Sequence, residues 1–181
     1  MDMNLLKDTN CVVIGPMEGD MVGARQIRQH IKTELGKLNI VVWDHLNRPF
    51  DGFIEETEAT HELLEGYRKF GRYDLIEQYA DIRRQDLAMI DKSDFVICVF
   101  HEKIFSAGTC EELFWANREK KPIFFVWGEG KEKCPVWFFW TLPHNYIYSS
   151  VEEVLNIIKL LDKGELSMDS KRWRLFKQEF R

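Results

Sequence analysis

Asp94-Phe95-Val96-Ile97-Cys98-Val99-Phe100, followed by Ser106-Ala107-Gly108-Thr109-Cys110-Glu111-Glu112-Leu113, is the stretch that decides the fold. A strand with one wet face alternates apolar and polar residues. This run does not alternate, so it reads as a strand buried on both faces, as in a parallel sheet. The turn of small residues leads straight into an amphipathic stretch over residues 109–119, which makes a strand-to-helix unit. The same unit recurs on either side. Residues 11–14 form an apolar run followed by Gly15-Pro16 and then a helix to about residue 38, which Asp20 can cap and which places Ile27, Ile31 and Leu35 on one face. Residues 40–43 make a second strand, and residues 55–91 read as helical with a break near Gly71. Residues 122–127 are a fourth strand, ending in a turn at 128–133, and residues 146–148 a short fifth. A last helix over 151–161 can be capped by Ser149 or Ser150, with Glu152 and Glu153 in its first turn.

Buried strands alternating with helices predict a small doubly wound α/β domain, flavodoxin-like or Rossmann-like, with about five parallel strands and helices on both faces. It is expected to occupy residues 1–165, with 166–181 as a further helix or arm. The 181 residues, 45% hydrophobic and 30% charged, suit one globular domain and exclude a disordered or low-complexity chain. A net charge of -5 gives no basic footprint for a nucleic-acid polymer or an anionic membrane. No apolar run approaches the roughly 20 residues of a membrane helix. The opening Met-Asp-Met-Asn has no basic segment leading into an apolar one, so no secretory signal is expected. Cys11, Cys98, Cys110 and Cys134 form no CxxC pair, which points to reduced thiols in a cytoplasmic compartment and away from a zinc knuckle.

Ligands of such sheets bind outside the carboxyl ends of the strands. That rule selects residues 15–20, 44–49, 101–112 and 128–133. Gly15-Pro16-Met17-Glu18-Gly19-Asp20, with Arg25 and Arg28 beyond, offers close backbone approach and a helix N-terminus for an anion. It is neither a dinucleotide GxGxxG nor a GxxxxGK[ST] loop, and an ordinary strand-to-helix turn explains it equally well. Asp86 shares a helix half with the core residues Leu87 and Ile90, which puts its carboxylate at the rim of the site or on a solvated face. Thr109 reads as an N-cap, with Glu112 either closing a capping box or standing as a carboxylate ionised by the helix dipole. Glu111 lies about 100° away around the helix, so only one of the two glutamates faces the site. His101, after the third strand, reads as a polar rim residue.

At these residues the chain resembles the nucleoside 2-deoxyribosyltransferase family, whose superfamily includes N-glycosidases of nucleoside 5′-monophosphates. Val13-Ile14-Gly15-Pro16 is similar to the family's opening Leu-Ala-Gly-Pro segment, and Asp86-Leu87-Ala88-Met89-Ile90 with Ser93-Asp94 to its Asp-Leu-x-x-Ile…Asp block. Gly108-Thr109-Cys110-Glu111-Glu112 with Leu113 and Ala116 is similar to its Gly-Thr-x-x-Glu…Ala block. The resemblance implies Glu112 as the nucleophile on C1′ and Asp86 as the group that helps protonate the departing base or orients the reacting groups. It implies Gly15, Pro16, Met17, Arg25, Ser106, Gly108 and Thr109 as substrate contacts. It also implies a nucleoside or nucleotide and a free nucleobase as partners, no metal or organic cofactor, and a homo-oligomer.

The chain departs from the family at several positions. Ser106 stands where the transferases carry an Asp that holds the sugar hydroxyls, and the monophosphate hydrolases are similar to the chain here, with a Ser for the phosphate. Val12 replaces an aromatic residue, Phe114 replaces a Gly, and Trp137 stands where some transferases supply an Asn to a neighbouring subunit. Three readings follow: base transfer, monophosphate hydrolysis, and a nucleotide-binding module without catalysis. The motifs read as bare turns and caps give a fourth, a purely structural domain. The aromatic run Trp137-Phe138-Phe139-Trp140 reads as an interface or a pocket wall.

Overall fold

The computed structural model describes residues 4–16, 21–46, 48–52, 56–100 and 106–167. Five strands, β1 (Asn10–Ile14), β2 (Val41–Asp44), β3 (Phe95–Phe100), β4 (Ile123–Trp127) and β5 (Ile147–Tyr148), form one sheet in the order β2-β1-β3-β4-β5. All four pairings are parallel. Every residue of β3 and β4 is buried, which is what their unbroken apolar runs require. Burying side chains such as Phe95, Phe124 and Phe125, all at 0% exposure, stabilises the sheet by roughly 1.5–3 kcal/mol each.

The helices are α1 (Met21–Gly36), α2 (Glu58–Lys69), α3 (Tyr73–Glu77), α4 (Ala80–Lys92), α5 (Ala107–Arg118), α6 (Val136–Thr141) and α7 (Val151–Asp162). The step from β1 to β2 runs one way along the sheet and that from β3 to β4 the other. Right-handed crossovers therefore put α1 and α5 on opposite faces. The reversal lies between β1 and β3, and a crevice opens there at the carboxyl ends of the strands. Gly15 sits at that point with a φ of +156°, and a Cβ on it would stand 2.5 Å from the Val99 carbonyl oxygen. Only a glycine lets the chain leaving β1 pass the end of β3 so closely.

Two boundaries differ from the sequence reading. The helical stretch before β3 is three helices, not two: Gly71, at φ +68°, lies in the first break, and a second break falls between α3 and α4. Neither α2 nor α3 has a buried residue, so they form an excursion from the core. The helix after β3 begins at Ala107, with Ser106 as its N-cap accepting from the Thr109 amide at 3.2 Å. The expected cap at Thr109 and its box with Glu112 do not form. Ser150 does cap α7, accepting from the Glu153 amide. The Asp20 cap, Met17, His101 and the tail beyond residue 167 lie outside the described residues.

Phe138 anchors α6 by stacking on Phe125 at 4.7 Å between ring centroids, while Trp137 and Trp140 of the same helix are exposed. No helix among the described residues is long and apolar enough to cross a membrane.

Candidate active site

A cavity of about 290 Å³ lies in the crevice, lined by Gly15, by His45 after β2, and by Asp86 and Arg83 of α4. Ser106, Gly108, Thr109 and Glu112 line it from α5 and its cap, and Glu56 and His61 from the segment before α2 and from α2 itself. The sequence-selected residues Glu112, Asp86, Gly15, Ser106, Gly108 and Thr109 are thus brought together. Pro16 is buried beside Gly15 but is not among the lining residues. Arg25 is exposed and lines a different cleft, with Thr57 and Glu62, so it is not placed with Ser106. Arg28, one turn further along, is buried instead and donates from Nη2 to the Gly15 carbonyl at 2.9 Å. Glu111 points away: it is half exposed and accepts from Arg83 Nε at 2.9 Å.

Glu112 is 1% exposed. Its Oε1 accepts from Arg83 Nη1 at 2.6 Å and lies 3.0 Å from His45 Nε2. Its Oε2 is buried and has no hydrogen-bond partner among the described residues. Asp86 is held just as firmly. Its Oδ1 lies 2.9 Å from Arg48 Nε and 2.8 Å from Arg48 Nη2, and its Oδ2 accepts from Arg83 Nη1 at 3.1 Å. One guanidinium nitrogen therefore bridges the two carboxylates. Arg83 is fixed in turn by donating Nη2 to the Gly108 carbonyl at 3.1 Å. Arg48 also pairs with Glu56, and His61 Nε2 stands 3.8 Å from the other Glu56 oxygen.

Burial alone would raise the Glu112 carboxyl, but the charges and hydrogen bonds of His45 and Arg83 outweigh it and hold the group below its ordinary 4.5. Burial lowers His45, and the Glu112 charge then reverses the balance and lifts the imidazole above 6.5. Each partner thus favours the charged form of the other. Burial raises the Asp86 carboxyl, with His45 and Arg48 opposing. The expected helix-dipole mechanism gives way here. With Ser106 as cap, Glu112 falls in the second turn of α5, where the dipole has faded. Two side chains from other elements keep it ionised.

His45, Asp86 and Glu112 offer ligand atoms within 4.8 Å of one another, a spacing that a metal ion can use. Arg83 donates to both carboxylates, and that fixed positive charge opposes a cation among them.

The charge pair predicts the pH dependence of stability. The Glu112 contribution is complete above its unfolded value near 4.5 and is lost as pH falls through the lowered folded value. The His45 contribution is complete below 6.5 and is lost as pH rises through the raised folded value. Urea midpoints of the wild type are expected to be highest between the two and to decline on the alkaline side. In His45→Gln that alkaline decline flattens, and an unchanged alkaline slope would show that the pair does not titrate this way.

His45, Arg48, Arg83, Glu56 and His61 were not singled out by the sequence reading. Arg83 had a signal, one helical turn before Asp86. His45 and Arg48 lie in the strand-end segment 44–49, but no spacing marks them within it.

Among solved structures, the chain is similar to a 2-deoxyribosyltransferase from the psychrotolerant bacterium Bacillus psychrosaccharolyticus. The TM-score is 0.54 at 14% identity, covering 81% of this chain and 90% of that one. It is also similar to the CMP N-glycosidase BcmB of Clostridium botulinum, with a TM-score of 0.48 at 14% identity, covering 84% of this chain and 98% of that one. The fold is that of a nucleoside deoxyribosyltransferase, an α/β sheet of five parallel strands. No family model matches the chain, and no curated protein matches it in sequence.

Proposed function

We propose that the protein cleaves the N-glycosidic bond of nucleosides, with Glu112 as the nucleophile and a covalent glutamyl-deoxyribose intermediate. One observation carries this reading above the others: a carboxylate at the floor of the cavity is held ionised through one oxygen, while the second oxygen makes no hydrogen bond among the described residues. A nucleophile needs an unshared lone pair and a fixed direction, and this arrangement supplies both. Asp86 takes the orienting role. It carries contacts from two guanidiniums and locks Arg83 against Glu112. Attack on C1′ through an oxocarbenium-like transition state, followed by a second displacement, retains the sugar's configuration. A free base as second nucleophile gives transfer; water gives hydrolysis.

A 5′-monophosphate substrate is the second reading, and Ser106 favours it. The Ser106 oxygen accepts from the Thr109 amide and from the Thr109 hydroxyl at 3.0 Å, which leaves its own proton to donate to a phosphate or a sugar oxygen. Against a phosphate stand Glu56, Asp86 and Glu112, all lining the same cavity, and the placement of Arg25 in another cleft. The neutral nucleoside is therefore the preferred substrate, and transfer of 2-deoxyribose between bases the preferred reaction.

Chromatography of each deoxynucleoside and each deoxynucleoside 5′-monophosphate, with and without a second base, tests this. A swapped nucleoside that forms only with acceptor base is the expected product. Base released from monophosphates alone would favour the Ser106 reading, and no turnover of any of them would leave a nucleotide-binding module.

A further inference from the structure

We infer that His61, carried on α2 and paired with Glu56, is the group that protonates the departing base. The inference rests on the glycosidic reading of the same cavity and goes beyond it by assigning the acid. In-line displacement at C1′ puts the nucleophile on one side of the carbon and the leaving nitrogen on the other. The acid must therefore stand apart from the nucleophile.

Among the described residues, the ionisable groups lining the cavity are His45, Glu56, His61, Arg83, Asp86 and Glu112. Arg83 and His45 both bond Glu112 itself, so they belong to the nucleophile's side. Asp86 belongs there too: it shares Arg83 Nη1 with Glu112 and lies 3.9 Å from His45 Nε2. His61 comes from α2, an element that supplies none of the groups bonded to Glu112. Its side chain is 30% exposed against 1% for Glu112, which sets it at the mouth of the cavity above the floor. Glu56 lies 3.8 Å from it and is itself tied to the buried Arg48. At that distance the contact is not a hydrogen bond; it places the imidazole beside an anchored carboxylate on the cavity wall, on a different element from the groups that hold Glu112.

The steps balance. The Glu112 oxygen bonds to C1′ as the C1′–N bond breaks. The electron pair goes to the base nitrogen, and a proton from the His61 ring follows it. In the second step water or a second base attacks C1′, the ester bond breaks with its electron pair returning to Glu112, and the attacker's proton goes to His61.

A leaving group that needs no proton separates this role from a structural one. Nicotinamide 2-deoxyriboside departs as neutral nicotinamide without protonation. His61→Gln is expected to slow turnover of a neutral deoxynucleoside by about 10²–10⁴-fold but that of the pyridinium substrate by less than about threefold. Glu112→Gln is expected to abolish both. α2 has no buried residue, so the His61 substitution leaves the core untouched. Equal loss on the two substrates, or no loss on the neutral one, overturns the assignment while the glycosidic reading stands. Failure of the wild type to turn over either substrate overturns both.

Discussion

Glu112→Gln lowers kcat by about 10⁴–10⁶-fold, the scale on which removal of a nucleophile acts. The amide keeps the volume and one acceptor oxygen for Arg83 and His45, but it has no charge to form an ester with C1′. Glu111→Gln changes little by comparison, because that side chain is half exposed and turned towards Arg83. The two adjacent glutamates therefore make an internal control: large loss at one and small loss at the other is expected. Comparable loss at both would place the effect in the Arg83 network rather than in the nucleophile.

Arg48→Met has the largest expected effect on stability. The Arg48 side chain is 0% exposed and engages Asp86 through both Nε and Nη2 while reaching Glu56. Removing Arg48 leaves the buried Asp86 Oδ1 without its guanidinium, with Arg83 still on Oδ2, and breaking a buried pair in this way costs about 3–5 kcal/mol. For a chain of this length that lowers Tm by roughly 6–20 °C. The urea midpoint should fall with the slope unchanged. A second substitution, Asp86→Leu in the Arg48→Met background, removes the stranded carboxylate and recovers part of the loss. No loss in the single variant would show that the pair does not hold the β2 loop to α4.

The two predictions mark how far the sequence could be read. Phe95–Phe100 is legible because burial on both faces dictates an unbroken apolar run, and from that strand the parallel sheet follows. For Glu112 and Asp86, helical spacing leaves a second reading each, a capping box and a solvated face, and it is the resemblance to the deoxyribosyltransferase motifs that selects them. The start of α5 differs from the expected one because Ser106 and Thr109 are both good caps three residues apart, and local chemistry does not choose between them. The structure chooses Ser106, and the source of Glu112 ionisation changes with it. His45, Arg48 and His61 were hidden for another reason. Their roles arise from contacts across 67, 38 and 5 residues of chain, to Glu112, Asp86 and Glu56, and no local spacing encodes the longer two. His61 sits on a helix with no buried residue, so no apolar pattern marks its position.

The most direct test of the account is mass spectrometry of protein quenched during turnover of a deoxynucleoside, followed by proteolysis. The account predicts a 2-deoxyribosyl increment on the peptide that carries Glu112, absent in Glu112→Gln. Turnover with no adduct on that peptide, or with an adduct on another residue, would contradict it.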